Sequence, residues 1–262
     1  MREDVLGDIM PQLHNTTEFR DLIYRLPWRI DQLMDLLGTR LSAALGEDYS
    51  PEWLFETKQL RLFSSEMFHA VFERSLLDGY TPFRYFVTHT HMRPRDLIEV
   101  CNSCRKEAAA SQKQIIDGSA INRGMWNSSA TSYLDLVAGY RYMVSDFQQV
   151  VDSFRHGPLR FSRTELISRL QALASKREFL DATQDDRRLD ADHLISVLYK
   201  AGFLVAPVDD DSGGGLPFVA YHIDPHRTSE AEQGWLIHPA YWREMSRGKA
   251  APNLRQVLAQ KL

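Results

Sequence analysis

Apolar residues recur at helical spacing through most of the first half of the chain. Residues 31–45 carry such a stripe and end at Gly46, which indicates an amphipathic helix. The same period predicts helices over 16–26, 60–77 and 82–88, a helix that begins at 93–95 and extends as far as 116, and one or two more over 129–154. The first half of the chain is therefore expected to fold as a helical bundle.

The pattern changes near residue 157. Ser162 followed by Glu165 forms a capping box that opens a helix, and Asp190 caps a second helix that Gly202 ends. Strands are predicted over 203–208, 217–223 and 235–238, with a glycine-rich turn at 209–215. Helices followed by a β-hairpin are the order of elements in a winged helix.

The expected fold class is mainly α with a small β-hairpin. A helical, lid-like bundle over 1–156 is followed by a winged-helix domain over 157–246. A basic tail over 247–262 completes the chain, and its weak amphipathic pattern predicts a solvated terminal helix.

The segment 91–102 contains the candidate functional residues of the helical half. Pro94 suits the first position of a helix, and Leu97, Ile98 and Cys101 follow at helical spacing. Arg93 and Arg95 then lie at the helix N-terminus, where the helix dipole favours an anion. A phosphate is one candidate for this anion, and pairing with nearby carboxylates such as Asp96 or Glu99 is the alternative.

Composition and charge are those of an ordinary globular protein. The chain has 262 residues, 44% hydrophobic content and a formal net charge of −4, so it lacks a global basic footprint for nucleic acid. It has no apolar run long enough to span a membrane and no apolar core of a signal peptide near Met1. Its only two cysteines favour a reducing, cytoplasmic setting.

Several catalytic motifs are missing from the sequence. It contains no glycine-rich phosphate loop ending in Lys-Ser or Lys-Thr, no nucleophile elbow and no His-Glu-x-x-His zinc helix. We therefore expect no enzyme activity from this chain alone and assign it no catalytic residues.

Four residues offer a zinc alternative. His89, His91, Cys101 and Cys104 carry soft ligands at close spacing. Their spacing is not that of a common zinc finger, however, and both cysteines fall in a predicted helix. Cysteine is often buried as a reduced thiol, so packed thiols are favoured over a metal site.

The winged-helix pattern raises a hypothesis of another class, a DNA-binding regulator. Acidic residues surround the candidate recognition helix and wing, at Asp190, Asp192 and 209–211, and carboxylates repel DNA phosphates. These charges favour packing against protein. If DNA is bound, we expect the contacts from the basic residues Lys176, Arg177, Arg187, Arg188 and Lys200.

Pieces spread over nearly the whole chain resemble one family. Arg93-Pro94-Arg95-Asp96 with its apolar continuation resembles the RPRD motif of bacterial P-loop ATPases of the STAND/AAA+ type, which are often associated with phage defence. Residues 1–5 and 26–41 are similar to the end of the ATPase core and to the first lid helix. Residues 190–204 and 235–241, with Ile237-His238-Pro239, look like the family's C-terminal winged helix.

The resemblance implies a role for the two arginines and names a missing partner. In such ATPases the lid arginine senses the γ-phosphate, so Arg93 or Arg95 would take that role here. The nucleotide-binding core is absent from this sequence, so ATP and Mg²⁺ would be bound only with a separate core domain. The implied function is a non-catalytic module for protein interaction, homo-oligomerisation or nucleotide-dependent switching.

Overall fold

The computed structural model describes residues 28–46, 57–182, 187–208, 216–221, 223–224 and 234–260, with the backbone alone over 57–63. The helix expected over 16–26, the resemblance at residues 1–5 and the turn at 209–215 lie outside these ranges. No helix among the described residues is long and apolar enough to cross a membrane.

The first half of the chain is a bundle of helices, as expected. Its members are α1 (Ile30–Leu45), α2 (Thr57–Val71), α3 (Pro82–Thr88), α4 (Pro94–Ala110) and α5 (Gly118–Tyr140). Gly46 ends α1 in the left-handed conformation, with φ 73°. The Thr81 hydroxyl caps α3, accepting from the backbone N–H of Arg84 at 3.4 Å.

Three helix boundaries differ from the expectation. The helix α2 ends at Val71 instead of 77, and α4 ends at Ala110 before reaching 116. Phe72 and Ile116 instead form an isolated parallel bridge, which joins the two chain segments that leave these helices. The helix α5 begins at Gly118, well before the expected start at 129. Asp117 caps it by accepting from Ala120 N–H at 2.9 Å.

The second half has the chain order of a winged helix. Its helices are α6 (Phe147–Asp152), α7 (Arg163–Ala174), α8 (Ala191–Lys200), α9 (Trp242–Met245) and α10 (Leu254–Leu258). Its strands are β1 (Arg160–Phe161), β2 (Leu180–Asp181), β3 (Arg187–Arg188), β4 (Leu204–Pro207), β5 (Phe218–Val219) and β6 (Trp235–Ile237). The predicted caps at Ser162, Glu165 and Asp190 are all present.

Within the described part of the chain, the main sheet has four antiparallel strands in the order β1-β6-β4-β5. The predicted hairpin of β4 and β5 is confirmed, with Ala206 opposite Val219. The strand β6 lies between β1 and β4, pairing Leu236 with both Arg160 and Val205. The strands β2 and β3 form a separate small ribbon between α7 and α8 that the sequence pattern did not reveal.

Two buried apolar clusters meet within α5. One, the core of what we call the helical unit (residues 30–125), includes Phe68, Phe86 and Leu97. The other, the core of the winged-helix unit (residues 133–258), includes Tyr140, Trp235 and Trp242. One helix thus contributes to both cores, and the boundary at residue 156 stays a prediction.

The end of the chain packs against the rest of the molecule. Leu254 is fully buried and Val257 nearly so, both within the core of the winged-helix unit. The expectation of a solvated helix in the tail is therefore wrong for α10, because its two apolar side chains cover the core instead of facing water.

Candidate functional site

The first turn of α4, which we call the arginine turn (residues 93–96), has the predicted geometry. Arg93 is the N-cap residue in an extended conformation, and Pro94 follows at the first helical position. The backbone carbonyl of Arg93 accepts from Leu97 N–H at 3.1 Å, whereas its side chain makes no capping bond. The guanidinium of Arg93 is thus not used to build the helix end.

Arg95 points into solvent from the same turn. Its side chain is 78% exposed, and its Nε donates to Glu99 Oε1 at 3.2 Å. This hydrogen bond and the charge of Glu99 raise the pKa of Arg95. The alternative of pairing with a nearby carboxylate is thus confirmed for Arg95, although exposed pairs of this kind are weak.

A small cleft of about 50 Å³ lies behind the arginine turn. Arg93 shares its wall with the carboxylates of Asp96, Glu99 and Asp135. Burial raises the pKa of Asp96, and the charge of Arg93 opposes that shift. Because carboxylates outnumber guanidiniums in the cleft, it repels anions, and a phosphate could meet these arginines only from the solvent side.

The residues just before the arginine turn contact the winged-helix unit. His91 Nε2 forms a hydrogen bond with Tyr241 Oη at 2.9 Å. The His91 ring also lies against the His238 ring, with centroids 4.3 Å apart. Met92, between His91 and Arg93, has φ 53°, a left-handed backbone conformation that is uncommon for a residue other than glycine. The position of the turn is thereby linked to residues 238–241.

A buried arginine joins the two units next to this contact. Arg243, on α9, is 3% exposed and reaches into the helical unit. Its Nη2 donates to Tyr85 Oη at 2.7 Å and to Asn122 Oδ1 at 3.2 Å. Beside it, burial and then the charge of Arg243 lower the pKa of His89 to about 3, although His89 Nδ1–H donates to the Tyr85 carbonyl at 2.8 Å. His89 is therefore neutral at physiological pH.

The neighbouring Glu244 is also buried, but it is fully paired. It accepts from Arg155 at 2.9 Å and from Arg247 at 3.0 Å. Its backbone N–H donates to Ser129 Oγ on α5 at 3.2 Å. Of these two consecutive residues of α9, Arg243 therefore forms hydrogen bonds with the helical unit, whereas Glu244 forms ion pairs within the winged-helix unit.

Sequence reasoning missed Arg243 and Tyr241. The local signal is weak, because Arg243 lies between the apolar Trp242 and Met245 but is followed by the charged Glu244. The partners themselves could not be inferred, because Tyr85 and Asn122 are far away in sequence.

The four histidine and cysteine residues of the zinc hypothesis do not come together. Cys101 and Cys104 lie inside α4, and burial raises the pKa of both thiols. His89 and His91 make the contacts described above. Among the residues that the structure describes, no three histidine, cysteine or acidic side chains form a group able to hold a metal ion.

The five basic residues of the DNA hypothesis do not form one free surface. Arg187 and Arg188 form β3, Lys176 and Arg177 lie between α7 and β2, and Lys200 lies at the far end of α8. Arg177 pairs with Asp146 at 2.7 Å, Arg188 with Glu178 at 3.1 Å, and Arg187 contacts His193 at 3.0 Å. Exposed Lys176 completes the set. DNA binding stays a prediction, which a titration against duplex at two salt concentrations would decide.

Part of the chain is similar to a known protein family. Residues 31–137 match the model of a family described as the FunZ-associated C-terminal helical domain. This match begins in α1 and ends within α5, so it covers the core of the helical unit and extends to the first residues of the winged-helix core, Tyr133 and Leu136. The chain thus carries a helical module that is similar to the C-terminal domain of a larger protein.

A longer relative agrees with that view. The chain is 22% identical over 238 residues to the putative transposon gamma-delta 80.3 kDa protein of Escherichia coli (strain K12), an alignment that covers 88% of this chain. It covers 32% of the relative, so the chain spans about a third of that protein's length. No solved structure matches. Neither description mentions a P-loop ATPase or phage defence, so those features of the resemblance remain hypotheses.

Proposed function

We propose that this chain is a non-catalytic module of a P-loop ATPase-like system, acting in protein interaction or nucleotide-dependent switching in phage defence. The observation that carries the proposal is the arginine turn. Both of its guanidiniums belong to exposed residues, and the turn is bonded through His91 to the winged-helix unit. A charge that meets the turn can therefore displace a contact between the two units.

The anion in this proposal is a γ-phosphate presented by a separate core domain. It would replace Glu99 as the partner of Arg95. Exchange of partners is cheap because the Arg95–Glu99 pair is exposed, whereas a phosphate offers the guanidinium a bidentate partner of higher charge. The matched C-terminal helical domain supports a setting within a larger assembly.

The first test is hydrolysis of ATP by the purified chain with Mg²⁺. We expect no turnover above buffer, because the sequence offers no phosphate loop to hold the nucleotide. Turnover that survives repeated purification and disappears in Arg95→Ala would overturn the proposal.

The second test measures affinity for a P-loop core protein encoded beside the gene, with ATPγS and with ADP. We expect tighter binding with ATPγS, and a loss of that preference in Arg93→Ala and Arg95→Ala. Glu99→Gln should strengthen the preference, since it removes the competing carboxylate. Arg105→Ala, farther along the same helix, is the matched control. Equal binding with both nucleotides would contradict the proposal.

A further inference from the structure

One continuous stretch of the winged-helix unit, residues 238–258, makes several polar contacts with the helical unit, in addition to the apolar packing of Leu216 against the helical core. Tyr241 bonds to His91, Arg243 bonds to Tyr85, and the N-terminus of α10 bonds to the turn that precedes α3. We call residues 238–258 the clasp. Its contacts come from both α9 and α10, so it holds the helical unit at more than one place.

The central anchor of the clasp is Arg243. Among the residues that the structure describes, no carboxylate oxygen lies within 4.0 Å of its guanidinium nitrogens. The Nε atom of Arg243 is buried and has no hydrogen-bond partner among these described residues. A buried charge without a counter-ion is costly. Its two hydrogen bonds to Tyr85 and Asn122 therefore form in one relative orientation of the units. If one unit slid against the other, the guanidinium would lose both hydrogen bonds.

The second anchor lies at the start of α10. Asp78, in the helical unit, accepts from Leu254 N–H at 3.1 Å and from Asn253 Nδ2 at 2.8 Å. One unit thus supplies a carboxylate to the N-terminus of a short helix in the other, where the helix dipole favours negative charge. Arg255 adds a bond from Nη2 to the Gly79 carbonyl at 3.0 Å.

The opposite end of α10 is tied to the winged-helix sheet. Arg160, on β1, donates through Nη1 to the carbonyls of Leu258 at 2.5 Å and Gln260 at 2.6 Å. Carbonyls at a helix C-terminus lack helical partners, and a guanidinium satisfies them. The helix α10 therefore bridges the two units, with an acidic partner at one end and a basic partner at the other.

We propose that the clasp locks the helical unit and the winged-helix unit in one orientation, with Arg243 as its key residue. Release of the clasp lets the units reorient about α5 and moves the His91–Tyr241 contact next to the arginine turn. The clasp is thus a conformational device of this chain. It operates whether or not the arginine turn meets a phosphate, so it does not rest on the function proposed above.

The test is a distance measurement between the units by pulsed electron paramagnetic resonance. Spin labels are attached at Glu66→Cys on α2 and Ser196→Cys on α8, both exposed positions. We expect the native thiols of Cys101 and Cys104 to react slowly with the label, because both lie within α4 and burial raises their pKa. We expect one narrow distance distribution in the otherwise unchanged chain.

The decisive variant is Arg243→Met, which keeps an unbranched side chain, although a shorter one, and removes the guanidinium with its hydrogen bonds. We expect the distribution to broaden and shift while the circular dichroism spectrum stays that of the folded protein. Arg247→Met is the matched control, because Arg247 lies on the same stretch and its ion pair among the described residues is with Glu244, inside the winged-helix unit. Its distribution should stay narrow.

Two further variants keep the proposal testable if Arg243→Met does not fold. Tyr85→Phe removes one partner of the guanidinium, and Asp78→Ala removes the anchor of α10; each should broaden the distribution by less than Arg243→Met does. A distribution that stays as narrow in Arg243→Met, or in both of these milder variants, as in Arg247→Met would overturn the proposal.

Discussion

The arginine turn and the buried junction between the units both depend on an arginine, but one arginine is exposed to solvent and the other is buried. Arg95 is 78% exposed and rests on one exposed carboxylate, so water solvates it whatever its partner does. Arg243 is 3% exposed and bonds to a phenol and an amide. The exposed arginine is free to exchange partners, whereas the buried one fixes the geometry around it.

The largest expected effect concerns the interior beside Arg243. His89 has a folded pKa of about 3, below its ordinary value of 6.5, so the unfolded chain takes up a proton first as the pH falls. Its contribution to stability is complete above pH 6.5 and is lost as the pH falls toward 3. We expect the free energy of unfolding to drop by up to about 5 kcal/mol from this group.

Denaturant unfolding between pH 7 and 3 measures this effect. The difference between the unchanged protein and His89→Gln isolates it from the titration of carboxylates. An equal pH dependence in both proteins would show that the junction does not hold a neutral histidine.

The second prediction compares the arginines directly. Arg243→Ala removes two hydrogen bonds and leaves a cavity, so the free energy of unfolding should fall by about 3 kcal/mol. Thermal and urea denaturation give this value. A loss no larger than that of Arg247→Ala would mean that burial of Arg243 adds nothing to stability.

The third prediction concerns the inner side of α4, which supports the arginine turn. A Cβ added at Gly124 would lie 2.6 Å from the backbone N of Cys104, so α5 and α4 would have to separate. Gly124→Ala should cost about 2 kcal/mol. Gly118→Ala is the control on the same helix, because its added Cβ meets nothing closer than 3.8 Å. Equal stability of the two variants would contradict the close packing of these helices.

The smallest expected effect belongs to the exposed turn. Arg95→Ala should leave the melting temperature unchanged, since its ion pair is exposed to solvent. Differential scanning calorimetry checks this. A clear decrease in the melting temperature would mean that Arg95, like Arg243, stabilises the fold, and would contradict the distinction between the two arginines.

Local sequence signals predicted much of the fold. Pro94, Ser162 and Asp190 each mark a helix start that the structure confirms, because capping depends on residues close in sequence. The start of α5 was missed because 118–129 is rich in glycine, serine and asparagine, which are poor helix formers. Their small size serves tertiary packing, as Gly124 shows against α4.

Long-range contacts explain what the sequence could not predict. The apolar pattern continues past Val71, but the chain leaves the helix there so that Phe72 can pair with Ile116. Likewise, no local signal joins Arg243 to Tyr85 or Asp78 to Leu254. The candidate arginines were found because they belong to a local motif, whereas the residues that join the units were not.

The ratio of affinities for a P-loop core protein with ATPγS and with ADP tests the central claim most directly. It should be measured for the unchanged chain, Arg95→Ala and Arg105→Ala at a temperature where all three are folded. We predict a ratio well above one that Arg95→Ala reduces toward one and Arg105→Ala leaves unchanged. A ratio that Arg95→Ala does not alter would contradict the assignment of phosphate sensing to the arginine turn.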